Sequence, residues 1–222
     1  MKNHPLLDFS EYFSQNVIAN FLLNPGKQSR EEIIEDLGLN TQHMAIPEQV
    51  HGSVVEFVNL PQKYSGADSL ITTNSDTLLT LKVADCVPVF ILDPISKMIA
   101  LIHSGWRGTV NGIMVNSIKL MKKNCSNVQN LEVYLGPAIG KCCYEVNSEV
   151  ADKFEKHTKV KLELNKWKVD LHGQIRTQLV EMGLLANKIT NSTICTYEST
   201  ECHSYRRDGQ NAGRMYAVFG LK

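Results

Sequence analysis

The chain has 222 residues, enough to bury a core without disulfide staples. Its 23 Lys and Arg balance 23 Asp and Glu, which argues against a general nucleic-acid or polyanion binder, because such proteins carry a basic excess. With 43% hydrophobic and 21% charged residues it groups with soluble folded domains and away from disordered chains.

In chain order, the first residues, Met1 to Asp8, hold no apolar stretch of signal-peptide length. Ser29 followed by Glu32 is a capping-box pattern and predicts a short helix through Ile33, Ile34 and Leu37. Residues 53–58, 68–73 and 77–83 read as strands. Val87 to Leu92 and Met98 to Ile102 are apolar runs of strand length joined by a turn at Asp93-Pro94, and neither is long enough to cross a membrane. Residues 109–122 predict a helix, since Val110, Ile113, Met114, Ser117, Ile118 and Met121 fall on one face. A strand at 131–135 follows, then a helix through Val146, Val150 and Phe154. Asp170 caps a further helix that Gly183 stops, and residues 189–195 and 214–221 read as closing strands.

Strands run in succession without helices between them, so the pattern favours α+β over a doubly wound parallel sheet. No linker, repeat or low-complexity tract divides the chain, and residues 1–222 read as one domain. The expectation is a soluble cytoplasmic protein with no membrane or nucleic-acid partner. Its six cysteines then serve as buried thiols, metal ligands or nucleophiles rather than as a disulfide framework.

Three polar stretches interrupt or end the apolar strands: Gln49-Val50-His51-Gly52, Ala84-Asp85-Cys86-Val87-Pro88 and His103-Ser104-Gly105-Trp106-Arg107-Gly108. His51, Cys86 and His103 offer two imidazoles and one thiolate, a donor set that suits zinc and leaves a fourth position open; copper accepts the same donors. The same residues support a thiol hydrolase, with Cys86 as nucleophile and His103 as base. Asp85 can orient an imidazole, carry a proton or cap a turn. Arg107 lies four residues beyond His103, and paired Arg206-Arg207 can hold a phosphate or carboxylate. His-Glu-x-x-His, Cys-x-x-Cys and His-x-Glu are all absent, which removes the common zinc-protease and zinc-deaminase signatures. Gly136 to Cys142 is one residue short of a phosphate loop and reads as a turn. His157 and His172 read as surface residues on helices. Cys125, Cys195 and the neighbours Cys142 and Cys143, which diverge on an extended chain, read as packing or unassigned thiols.

Together these motifs, with Ala67-Asp68, Gly136-Pro137-x-Ile139, Tyr144-Glu145-Val146, Cys195-Thr196 and Ser204-Tyr205-Arg206-Arg207-Asp208-Gly209 following in order, resemble the laccase-domain family over roughly residues 28–222. That family is also called the multicopper polyphenol oxidase or purine nucleoside phosphorylase family. The resemblance implies one α+β domain of mixed β-sheets flanked by helices, similar to cysteine hydrolases. It also implies a metal held by His51, Cys86 and His103. Two departures stand out: Cys202-His203 replaces frequent aromatic residues, and Ser104 replaces a frequent Ala.

On that resemblance the expected activity is zinc-dependent phosphorolysis of purine nucleosides (adenosine, inosine, guanosine, methylthioadenosine) and adenosine deamination, with copper as the alternative metal. Cys86, Asp85 and His103 are the catalytic candidates, Asp85 as proton shuttle. Gln49, Arg107 and Arg207 are the substrate-binding candidates, the arginines neutralising phosphate. A Cys-His amidase or hydrolase editing peptidoglycan precursors and a copper-dependent polyphenol oxidase are the alternative readings.

Overall fold

The computed structural model describes residues 5–26 and 28–222. In chain order the elements are β1 (Leu6–Asp8), β2 (Val17–Leu22), α1 (Arg30–Asp36), β3 (Met44–Pro47), β4 (Val55–Phe57), β5 (Lys63–Tyr64), β6 (Ser69–Thr72), β7 (Leu78–Val83), β8 (Val87–Asp93) and β9 (Met98–Ser104). There follow α2 (Trp106–Val110), α3 (Ile113–Lys123), β10 (Glu132–Leu135), β11 (Glu145–Val146), α4 (Ser148–Ala151), β12 (Lys159–Glu163) and β13 (Lys166–Val169). The last are α5 (Leu171–Glu181), β14 (Ile189–Asn191), α6 (Tyr205–Asp208) and β15 (Met215–Leu221). The architecture is α+β. One six-stranded sheet has the order β1-β2-β15-β7-β3-β5, a second the order β14-β10-β8-β9-β6-β4, and β11-β13-β12 form a small third sheet.

The two large sheets face each other across one core, and helices cover the far face of the second sheet. Strand parity shows this directly. In β8 and β9, Val87, Val89, Ile91, Met98, Ala100 and Ile102 join the cluster that holds Ile113, Ile118, Ile175 and Leu179 of α3 and α5. Their alternates Phe90, Leu92, Ile99 and Leu101 join Phe21, Leu79, Leu81 and Phe219 of the first sheet. Both strands are buried at every position. That is why they read as unbroken apolar runs rather than as an alternation. By the same parity His103, two residues after Leu101, falls on the side facing the first sheet.

Local chemistry sets the element ends. Ser29 and Glu32 close a reciprocal capping box on α1. Asp170 accepts the Gly173 amide at 2.8 Å to start α5, and Gly183, at φ +97°, follows its end. The helix expected at 109–122 is two helices. Gly112 sits at φ +80° and turns the chain between α2 and α3, while the apolar face over Ile113, Met114, Ile118 and Met121 stays buried as expected. The helix expected over 146–154 shrinks to the single turn of α4, capped by Asn147. The strand at 189–195 ends at Asn191. The β12–β13 hairpin went unanticipated, because its first strand, Lys-Val-Lys-Leu-Glu, is mostly exposed and carries no apolar run. Among the described residues no helix is long and apolar enough to cross a membrane.

Candidate metal centre and its cleft

Asp68 organises the site. It stands just before β6, fully buried, beside the end of β9. One carboxylate oxygen accepts the His51 amide at 2.9 Å and His103 Nδ1 at 2.8 Å. The other accepts the Gly52 amide at 2.8 Å and the Val50 amide at 3.2 Å. A buried carboxylate needs such donors to stay charged. Burial works against its charge, but His103 and the loop amides outweigh it and hold the Asp68 carboxyl below its ordinary range. Asp68 therefore fixes the 50–52 loop and the His103 ring at once. With Nδ1–H committed to Asp68, Nε2 is the His103 nitrogen left for chemistry.

Cys86 sits between Asp85 and the first residue of β8, and Pro88 pairs with His103 across the β8–β9 ladder. The His51 and His103 rings lie edge to face, with centroids 4.9 Å apart. One ligand atom each from His51, Cys86 and His103 lies within 4.8 Å of the others. Gly105 permits this closeness, since a Cβ there would stand 2.8 Å from Cys86 Sγ. Of the six non-glycine residues at positive φ among the described residues, Gln49, His51 and Asp85 belong to this neighbourhood, so backbone strain concentrates there.

Burial favours a neutral Cys86 thiol, but the charge on His103 and hydrogen bonds from both imidazoles override it and bring the thiol down to about 6. Burial also disfavours the His103 imidazolium, yet the Cys86 thiolate and Asp68 raise its pKa to about 9. Without metal the pair is a thiolate beside an imidazolium at neutral pH. The same donors fit a soft or borderline divalent ion. They comprise one ready thiolate and two imidazoles, one of them oriented by a buried carboxylate, and they leave further coordination positions open.

These three residues line a cleft of about 580 Å³, a size that suits a small-molecule ligand. Gln49, Asp85, Trp106, Arg107, Ile139, Tyr144, Tyr205 and Arg206 also line it, with Lys82 and Arg214. Three of the sequence candidates are already hydrogen-bonded within the protein. Asp85 accepts Thr196 Oγ1 at 2.6 Å, Ser204 Oγ at 3.0 Å and the Arg206 amide at 2.7 Å, and no imidazole bonds to it among the described residues. The Gln49 side-chain amide is committed to the Lys82 backbone in both directions, at 2.7 and 2.9 Å. Arg207 is not in the cleft wall. Its guanidinium donates to the carbonyls of Thr196, Tyr197, Ser199 and Cys202 and pairs with Asp208.

Arg206, its neighbour, is the one that faces the cleft, lying 5.1 Å from the centre of the Tyr144 ring. Cys202 is buried in the core between the sheets rather than in the cleft wall. His172, read as a surface residue, is partly buried and donates Nε2–H to the Gly136 carbonyl at 2.9 Å. Asp68, Lys82, Tyr144 and Arg214 escaped the residue-by-residue reading, which named Arg206 only as half of an arginine pair and put Arg207 forward for the substrate. The only available signals were the Ala67-Asp68 pair and the Tyr144 and Arg206 motif positions.

The family described as multi-copper polyphenol oxidoreductase laccase matches residues 25–222. A purine nucleoside phosphorylase of Clostridium acetobutylicum is 34% identical over 218 residues, covering 94% of this chain and 90% of that one. Adenosine deaminase RL5, from an unknown prokaryotic organism, is 29% identical over 209 residues, covering 85% and 79%. The crystal structure of YlmD from Geobacillus stearothermophilus superposes with a TM-score of 0.90 at 25% identity, covering 100% of this chain and 98% of that chain.

Proposed function

This chain belongs to the multi-copper polyphenol oxidoreductase laccase family, and from that premise we propose that it is a zinc-dependent purine nucleoside phosphorylase that also deaminates adenosine. The observation that carries this reading is the convergence of His51, Cys86 and His103 in a cleft that Lys82, Arg107, Arg206 and Arg214 also line. The names of the relatives just described supply the substrate class. Adenosine, inosine, guanosine and methylthioadenosine are the proposed nucleosides.

His51, Cys86 and His103 would hold the ion, which supplies Lewis acidity at an open coordination position. Arg107, Arg206, Arg214 and Lys82 place positive charge around the cleft and bind the phosphate, which forms a bond to the sugar's anomeric carbon as the N-glycosidic bond breaks and the purine leaves with a proton. Burial raises the Tyr144 pKa, so its hydroxyl stays protonated in the cleft wall and can donate a hydrogen bond to substrate. Trp106, with Arg107 stacked 4.5 Å over its ring, offers a flat face beside the base. Asp85 acts by positioning: it holds the start of α6, and with it Arg206, instead of shuttling protons.

The test is inosine turnover by zinc-loaded protein with and without phosphate, run beside ammonia release from adenosine. Hypoxanthine release that requires phosphate supports the reading. Absence of both products rejects it. A second reading rests on a specific observation, Cys86 Sγ close to His103 and the His103 ring held by Asp68, which is the grouping of a thiol nucleophile with an oriented base. Hydrolysis of an amide substrate that survives chelation and is abolished by alkylating Cys86 would favour it.

A further inference from the structure

A second group of donors lies outside the cleft. Cys142, Cys143, Cys195 and Glu198 each offer one ligand atom, and all four atoms lie within 4.8 Å of one another. We propose that they form a structural site for a thiophilic divalent ion of the zinc class, held by three thiolates and one carboxylate.

The chain is built to bring these atoms together. Adjacent cysteines diverge on a strand, but here residues 141–143 form a turn. The Cys143 and Tyr144 amides both donate to the Gly140 carbonyl at 3.0 Å, which closes that turn. Cys195 comes from a remote segment. It pairs with Ala138 in an isolated parallel bridge, and the Thr196 amide donates to the Ala138 carbonyl at 3.0 Å. The Ser199 amide donates to the Cys195 carbonyl at 3.0 Å, so the chain turns back and carries Glu198 to the sulfurs.

Gly140 makes the approach possible. A Cβ at that position would stand 3.0 Å from Cys142 Sγ and 3.3 Å from Cys195 Sγ. Its amide donates to Cys195 Sγ at 3.2 Å, a contact that supports a charged sulfur. Hydrophobic packing does not explain the group, because Cys142 and Glu198 are exposed. A tetrahedral ion with metal–sulfur bonds of about 2.3 Å puts its sulfurs about 3.8 Å apart, so a contraction of about 1 Å at most completes the shell. Four protein ligands close the shell, which makes the site structural rather than catalytic.

Its place in the fold gives it a task. One side of the group belongs to the segment carrying Ile139 and Tyr144, which line the cleft. The other side is next to Thr196, whose hydroxyl donates to Asp85. A bound ion therefore pins together two segments that shape the cleft wall.

The experiment uses the full chain with His51→Ala and His103→Ala, which disables the first site and separates the two proposals. Protein kept reduced is equilibrated with zinc and measured by elemental analysis. It is then loaded with cobalt(II) and read for thiolate charge-transfer and tetrahedral d–d absorption. The expected result is about one ion per chain with a tetrahedral thiolate spectrum. Adding Cys142→Ser, at an exposed position, should weaken cobalt binding by about tenfold or more, no less than the 10–100-fold typical of losing a partner outside the ligand shell. Glu198→Gln should keep the charge-transfer bands and lower affinity. No retained metal in the reduced double-histidine variant, with its circular dichroism unchanged, overturns the proposal. So does a deficit of two thiols in protein purified without reductant, which would make the group a disulfide.

Discussion

Asp68 and Asp85 are both buried carboxylates beside the same cleft, and each collects several hydrogen bonds, yet they do opposite kinds of work. Asp68 takes three amides of one loop and one imidazole, so its charge reaches the candidate ligands directly. Asp85 takes two hydroxyls and one amide from segments more than a hundred residues away, so its charge holds a wall in place. A carboxylate's role is set by the donors that surround it, and its neighbours in sequence mislead: Asp85 adjoins Cys86, but Asp68 governs the sulfur's partner.

The largest effect should come from removing the Asp68 charge. Asp68→Asn should lower zinc affinity and nucleoside turnover by about 10–100-fold, the range for losing a carboxylate behind a metal-bound imidazole. Asp85→Asn should leave zinc affinity within about twofold while raising KM for phosphate, because it loosens Arg206 without touching a ligand. Zinc titration and steady-state kinetics of the two variants decide the matter, and equal losses of zinc affinity would erase the distinction.

A pH measurement sharpens the contrast. In zinc-free protein, alkylation of Cys86 follows its thiolate, so reactivity should be present above about 6 and fall away as pH drops through that value. Asp68→Asn weakens the support for the His103 charge, so the midpoint should rise; in Asp85→Asn it should stay where it is. For stability the sign is the usual one for a carboxyl with a lowered folded pKa. The Asp68 contribution is full above the ordinary carboxylate range and is lost as pH falls through the lower folded value. Acid unfolding of Asp68→Asn should therefore be less steep than that of the unaltered chain.

Next in size is the stability cost of Asp85→Asn, about 1.5–3 kcal/mol for a charge-assisted hydrogen-bond set, measurable by urea unfolding at neutral pH. The smallest effect separates the adjacent arginines. Arg207→Ala should lower Tm by about 2–4 °C and make the 196–202 loop easier to cleave, with KM for phosphate little changed. Arg206→Ala should do the reverse, raising KM for phosphate with little change in Tm. Identical behaviour of the two would remove the assignment of Arg206 to the cleft.

Much of this was legible in one dimension. Ser29 with Glu32, Asp170 and the apolar runs of β8 and β9 each declared an element, because capping and burial act over a few residues. The three stretches holding His51, Cys86 and His103 were conspicuous, since reactive groups at the ends of apolar strands have few other reasons to be there. The break at Gly112 was hidden by an apolar face that continues across it. The turn that aligns Cys142 with Cys143 was hidden because neighbouring residues on a strand would diverge.

Hydrophobic period and side-chain chemistry are local properties, so the α+β class, the central strands and the donor types available to a metal can be read along the chain. Which carboxylate serves the imidazole, which of two adjacent arginines enters the cleft, and that two adjacent thiols meet a distant third thiol and its glutamate beside it are settled by packing alone. Those outcomes depend on strand pairing and side-chain direction across long separations, where a single position along the chain reverses which way a side chain faces.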